Sequence, residues 1–347
     1  MRFLNCFILM LTASLLALAA PNSTGKPVAG SMEHIKVHGP SLEGNLEGDP
    51  AERDVFVYLP PSYAVNRSQR FPVLYLLHGY GRVAETWVQF IGMPGSMDNG
   101  IAKGTTKEMI VVMPDANTKY GGSMYSSSPT TGDWETYITH DLVSYIDSHY
   151  RTIAARESRG LAGHSMGGYG VWRIGMKHPE LYASIYSLSA CCLMNNPQPR
   201  PANTGKAEKK AAPAPLEKGA HLVDVASGEA AAWSPNPQNP PLFFDRPVVD
   251  GQLHPEIAAK WIANSPLAMV DQYVTNLKKY NAIATDVGLQ DTLLGSIQQM
   301  DQSLTRLGIE HTFETFEGDH SNHLKDRVEL KVLPFFSEHL TFTQKKK

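Results

Sequence analysis

The run Gly163-His164-Ser165-Met166-Gly167 sets a serine between two glycines, with the apolar pair Leu161-Ala162 just before it and a helix-like stretch from Met166 to Lys177 after it. A serine hydroxyl is a weak nucleophile until a base removes its proton, and that base must be oriented by a third group. Gly-x-Ser-x-Gly in a strand–turn–helix context supplies the first part of this chemistry. The turn forces a strained serine backbone, and the glycines let strand and helix pass close beside it. Composition alone would produce the pattern in about one chain in ten of this length. The surrounding residues must therefore carry the assignment.

With such a turn the acid and the histidine are expected later in the chain, in that order, in loops after the carboxyl ends of strands. Asp286 lies within the late apolar stretch Ala282 to Val287, and Asp291 lies just past it, after Gly288. Asp291 is the better placed acid, with Asp286 in reserve. In Phe316-Glu317-Gly318-Asp319-His320-Ser321-Asn322-His323, His320 is the expected base and His323 its competitor. The His-x-x-His spacing lacks the glutamate of a zinc-hydrolase helix, so no metal is expected, and no cofactor. Acyl chemistry also needs donors for a developing oxyanion. The backbone N–H groups of Met166 and of Tyr80, in His78-Gly79-Tyr80-Gly81, are the candidates. Trp87, Tyr120 and Tyr125 are expected on the substrate side, where aromatic and hydroxyl groups suit an aromatic acyl group or a sugar. A core role for Trp87 fits its residue type equally well.

These groups need a scaffold. Glu33 to Val37 and Arg53 to Leu59 read as an early antiparallel pair, the second stopped by Pro60-Pro61. Phe71 to Leu77 and Met109 to Met113 are nearly continuous apolar runs, which mark strands buried on both faces. Trp134, Tyr137, Ile138, Leu142, Tyr145 and Ile146 recur at helical spacing after a capping Asp133. Further strands are expected at Ser184 to Leu188, Ala282 to Val287 and Ile309 to Phe316, with helices at Thr292 to Leu307 and Asn322 to His339. Alternating strand and helix patterns from about residue 71 imply a mostly parallel sheet covered on both faces. Residues 193–265 break the alternation. Pro197 to Pro215 is rich in proline, alanine and lysine, and the whole stretch reads as an insertion or cap without the periodicity to bury a core of its own.

The motifs together resemble the esterase D-like branch of the α/β-hydrolases. The likeness rests on Phe71 to Gly81, Met113-Pro114-Asp115, Arg159 to Gly170, Ala284 to Asp291 and Glu317 to His320, and covers roughly residues 35–340 outside the insertion. That family includes feruloyl esterases, S-formylglutathione hydrolases, siderophore esterases and mycolyltransferases. The resemblance implies an α/β-hydrolase fold, Ser165 as nucleophile, Asp291 as acid, His320 as base, and Tyr80 and Met166 as oxyanion donors. It implies a serine carboxylesterase; the loop aromatics and the export signal favour acylated carbohydrate or hydroxycinnamoyl esters as its substrate, with a siderophore ester left open. An acyltransferase using the same triad is the alternative, and a non-catalytic binding protein on the same scaffold is a more distant one.

Composition bounds the rest. The chain has 347 residues, 42% hydrophobic and 19% charged, ordinary values for a globular protein. A formal charge of −3 and the lack of a basic patch with interleaved aromatics exclude an electrostatic nucleic-acid partner. A small-molecule or carbohydrate ester is the expected partner. Arg2, the apolar run Phe7 to Leu18 and Ala17-Leu18-Ala19 form the pattern of a signal peptide over residues 1–19, too short for a comfortable membrane span. Export to the periplasm or outside the cell follows, with a mobile linker at 20–32 and the hydrolase domain at 33–342. Cys6 falls in the signal; Cys191 and Cys192 are neighbours and are expected as two buried thiols, because a bridge between them is strained.

Overall fold

The computed structural model describes residues 29–198 and 225–343. The expected signal peptide, most of the 20–32 linker and the 199–224 part of the insertion lie outside those residues. Eight strands form one sheet: β1 (Ser31–His38), β2 (Glu52–Leu59), β3 (Val73–Leu77), β4 (Ile110–Pro114), β5 (Arg159–His164), β6 (Ser184–Leu188), β7 (Ala282–Gly288) and β8 (Thr312–Phe316). Their order across the sheet is β1-β2-β4-β3-β5-β6-β7-β8. β1 runs antiparallel to β2 and β2 to β4, and all the other pairs are parallel. The early pair and the buried runs thus stand where their sequence patterns put them.

Alternation explains the two-sided burial. In β3, Val73, Tyr75 and Leu77 join one apolar cluster, while Leu74 and Leu76 join a second on the opposite face. The first face is covered by a helix over 134–149 and by α3 (Met166–Lys177) and α6 (Leu294–Arg306). Ile138, Leu142 and Ile146, then Trp172 and Ile174, then Ile297, Met300 and Leu304 are buried there. The 134–149 helix, α2, begins where Asp133 accepts a hydrogen bond from the Thr136 N–H at 3.0 Å. The second face is covered by α1 (Met93–Lys103) and by α7, a helix over 324–339. No apolar periodicity announces α1. Its sequence carries Pro94, Gly95 and Gly100, all poor helix residues, and it holds by burying Met93 and Met97.

The described residues 225–263 of the 193–265 stretch add to the main core. Its helix α4 (Val225–Trp233) buries Ala230, Ala231, Ala232 and Trp233, and α5 (Pro255–Ala263) buries Trp261. All five belong to the first-face cluster, with the Trp233 and Trp261 rings edge to face at 5.6 Å. A helix buried on most sides has no amphipathic stripe, which is why periodicity does not reveal it. Cys191 and Cys192 are free thiols partly buried against the first-face core, with the Cys192 thiol 2.7 Å from the Cys191 sulfur and 3.3 Å from Glu229 Oε1.

Candidate active site

Five carboxyl ends of parallel strands converge on one edge of the sheet. β5 ends at His164 and hands the chain to Ser165; β3 leads into His78-Gly79-Tyr80; β4 leads into Asp115; β7 leads to Asp291; and β8 leads to His320. Helical crossovers between parallel strands place their following loops together at this end.

Ser165 has φ 58° and ψ −115°, a conformation costing about 1–3 kcal/mol for a residue with a Cβ. It is held there from both sides. The Ser165 N–H donates to the Leu188 carbonyl at 3.0 Å, and the Ser165 carbonyl accepts from Tyr169 at 2.9 Å and from Cys191 at 3.1 Å. The two glycines are sterically obligatory. A Cβ on Gly163 would lie 2.5 Å from the Gly167 carbonyl, and one on Gly167 would lie 2.1 Å from the Leu77 oxygen. Strand and helix can cross beneath the serine only without side chains at those positions.

His320 Nε2 is 2.9 Å from Ser165 Oγ, and His320 Nδ1 is 2.8 Å from Asp291 Oδ2. With Nδ1–H donating to the carboxylate, Nε2 is left to accept from the serine hydroxyl. The structure therefore brings Ser165, His320 and Asp291 into one hydrogen-bonded line. Asp291 also accepts from the Leu293 N–H at 2.9 Å. Burial alone would raise its pKa, but the bonds from His320, Leu293 and Ser189 outweigh it and hold the carboxyl below its usual range.

Asp286 does not reach the histidine. Its Oδ2 accepts from Arg327 Nε at 2.8 Å and from the Tyr186 hydroxyl at 2.9 Å, on the α7 side of the sheet. His323 also stands apart, half-exposed, with Nδ1 3.4 Å from Asp326 Oδ2 and its ring edge-on to Phe316.

Of the oxyanion candidates, Met166 is the first residue of α3, so its N–H has no acceptor within the helix. Tyr80 lines the same cleft as Ser165. Gly79 runs against Ser165: a Cβ there would sit 3.3 Å from Ser165 Cβ. The loop is fixed from below by His78, which is 1% exposed. His78 Nε2 accepts from the Ala116 N–H at 2.7 Å, so Nδ1 carries the proton and donates to the Gly79 carbonyl at 2.9 Å. Burial lowers its pKa and keeps the ring neutral, as this arrangement requires. From the side, Gly81 N–H donates to the Gly121 carbonyl at 2.7 Å and the Tyr80 hydroxyl donates to the Tyr120 carbonyl. The Tyr80 ring lies where a Cβ on Gly122 would approach to 2.8 Å and one on Gly228 of α4 to 2.6 Å. Helix α4 thus touches the loop beside Ser165.

The cleft over Ser165 has a volume of about 160 Å³ and is walled by Trp87, Phe90, Ile91 and Leu324, with Arg82 and His320 also on its lining. Trp87 is 2% exposed within the second-face core and also borders the cleft. Tyr120 and Tyr125 depart from expectation, since neither borders the cleft. Tyr125 is fully buried, and its hydroxyl donates to the His78 carbonyl at 3.0 Å. Tyr120 packs edge-on against Phe244 and donates to the Leu242 carbonyl at 3.2 Å, tying its loop to the insertion. A polar, glycine-rich loop gives no sequence signal of which way its aromatics turn.

Sequence reasoning also passed over His164, the residue between Gly163 and Ser165 in the glycine turn. Its Nε2–H donates to the His320 carbonyl at 2.7 Å, and the two rings lie 4.7 Å apart. Burial, with the neighbouring His320 adding to it, lowers the His164 pKa to about 3. The ring is neutral and anchors the backbone of the histidine above it.

Comparison with known proteins agrees with this architecture. The chain is 37% identical over 134 residues to an endo-1,4-beta-xylanase/feruloyl esterase of Xylanibacter ruminicola, covering 36% of this chain and 18% of that protein. It is 33% identical over 141 residues to an esterase of Mycobacterium tuberculosis, covering 39% of this chain and 28% of that one. The match therefore spans less than a third of either relative. Among solved structures, a ferulic acid esterase superposes with a TM-score of 0.66 at 22% identity, covering 89% of this chain and 98% of that one, which shows a shared fold. The Esterase family model, described as "Putative esterase", matches residues 50–324. The chain belongs to that esterase family and carries its α/β-hydrolase fold.

Proposed function

We propose that the protein is a serine carboxylic ester hydrolase. Ser165 Oγ attacks the ester carbonyl while His320 Nε2 takes its proton. The negative charge on the former carbonyl oxygen is met by the N–H groups of Met166 and Tyr80. Collapse of the tetrahedral species breaks the bond to the alcohol oxygen, which leaves with the proton held on His320. Water then attacks the acyl-serine, giving its proton to His320, and release of the carboxylic acid returns that proton to Ser165. Asp291 holds the imidazole in the tautomer that faces the serine and stabilises its protonated form.

The continuous line from Ser165 Oγ through His320 to Asp291, at 2.9 and 2.8 Å, carries this reading. The apolar walls of Trp87, Phe90 and Ile91 suit a flat aromatic acyl group, so hydroxycinnamoyl esters of carbohydrates are the favoured substrates. The ferulic acid esterase with the same fold adds support for that class. Residues 1–19 direct the chain out of the cytoplasm in this reading, and the domain proper follows the linker.

A fluorophosphonate probe should label Ser165, with labelling lost in Ser165→Ala, and a panel of p-nitrophenyl acyl esters and methyl hydroxycinnamates should be hydrolysed. Labelling without turnover of any ester, or turnover that survives Ser165→Ala, would overturn the assignment.

A further inference from the structure

The cleft holds one permanently charged side chain that the ester-cleaving steps do not use. Arg82 borders it, three residues beyond Gly79, and is exposed to solvent. The turn Gly79-Tyr80-Gly81-Arg82 is closed by the Arg82 N–H donating to the Gly79 carbonyl at 3.2 Å. Arg82 is therefore fixed at its backbone to the loop that abuts Ser165. Its charge reaches the site, since it is one of the groups that disfavour a proton on His164.

Among the described residues no carboxylate pairs with it. The cleft lining contains no aspartate, glutamate or lysine. Among the described residues the guanidinium makes no ion pair. The acid nearest in sequence, Glu85, instead accepts from the Gln89 amide. Of the other acids close to the site, Asp291 is turned away behind His320 and engaged there, and Asp319 accepts from the Ser321 and Asn322 N–H groups. An uncompensated guanidinium beside walls of low polarity keeps more of its field than one in open water.

The geometry points to Arg82 as a specificity determinant that recognises a carboxylate on the alcohol part of the ester. This rests on the ester-hydrolase reading and narrows it. The alcohol part is indicated because the buried Trp87 and Ile91 offer the acyl group an apolar floor, whereas Arg82 stands exposed at the rim. There it meets the portion of substrate that remains in water. Arginine also presents paired N–H donors that match a carboxylate. The substrate class is thus an acylated hydroxy acid, such as an acyl uronic or cyclitol carboxylic acid, rather than an acylated neutral sugar.

The test uses the full chain and a matched pair of esters: the acyl group ranked first by the p-nitrophenyl panel, joined either to quinate or to methyl quinate. The pair differs by one negative charge. Wild type should favour the quinate in kcat/KM by about three- to tenfold at low ionic strength, the range for a half-solvated charge pair. Half-molar salt should shrink that preference. Arg82→Gln should abolish it and Arg82→Lys should keep part of it. Because the side chain is exposed, neither variant threatens folding, which circular dichroism would verify. An equal ratio in wild type and Arg82→Gln, or a wild-type preference for the methyl ester, would overturn the inference. Failure of the parent reading looks different: wild type would hydrolyse no p-nitrophenyl ester at all.

Discussion

Two aspartates five residues apart, Asp286 and Asp291, occupy regions built on opposite principles. Asp291 lies past the end of β7 in a line of hydrogen bonds that ends at a half-exposed serine. Asp286 lies inside the strand, where the alternation of β7 turns it under the sheet toward α7. There it meets Arg327, which also binds Glu314 at 2.6 Å, and the Tyr186 hydroxyl. In the proposed mechanism the first carboxylate orients a histidine that takes and returns a proton. The other is locked by a permanent cation, which has no proton to exchange. Partner and solvent access, rather than residue type or chain position, separate chemistry from packing here.

Exchanging the two acids for amides tests that contrast most sharply. Asp291→Asn should lower kcat by about 10⁴-fold, because an amide favours the wrong imidazole tautomer, with little loss of stability. Asp286→Asn should leave kcat within a few-fold and lower the denaturation midpoint. Steady-state kinetics and urea melts on both variants decide it, and comparable losses of kcat in the two would erase the distinction.

The underside can be broken from its cation. Arg327→Met leaves the buried Asp286 without its cation, while Glu314 keeps Lys331, and should cost about 3–5 kcal/mol of stability. Urea unfolding measures this, and a loss under 1 kcal/mol would mean the cluster is looser than its distances imply.

The smallest effect concerns pH. His164 has a folded pKa of about 3 against an unfolded value near 6.5. Below about pH 6.5 the unfolded chain takes up a proton that the folded chain refuses, so stability falls as pH drops from about 6.5 toward 3. The slope is at most about 1.4 kcal/mol per pH unit. Between pH 6.5 and 5 wild type should therefore lose about 2 kcal/mol more than His164→Gln. Parallel urea-midpoint curves for the two would contradict a neutral buried ring.

Features written as short-range pattern were legible in the sequence. The Gly-x-Ser-x-Gly turn, the apolar runs of β3 and β4, and the position of Asp291 past Gly288 all follow from local sterics and periodicity. The direction of side chains in irregular segments was not. Tyr120 and Tyr125 turn inward because the His78 and Leu242 carbonyls accept their hydroxyls, and those partners lie 47 and 122 residues away. Arg82 and His164 escaped notice because their roles depend on what is absent or stacked nearby in space. α4 was hidden because consecutive alanines, buried together, leave no stripe.

The wedge of Tyr80 between Gly122 and Gly228 has a consequence for protein engineering. These three positions form a volume constraint shared by the loop beside the nucleophile and a helix nearly 150 residues later. An insertion borrowed from a relative cannot be spliced in as a free-standing cassette. Its helix must offer a residue without a side chain opposite Tyr80, or position 80 must shrink in the same step. Recombination libraries that cross between residues 80 and 228 should therefore be filtered on that pairing before any is screened for a new substrate.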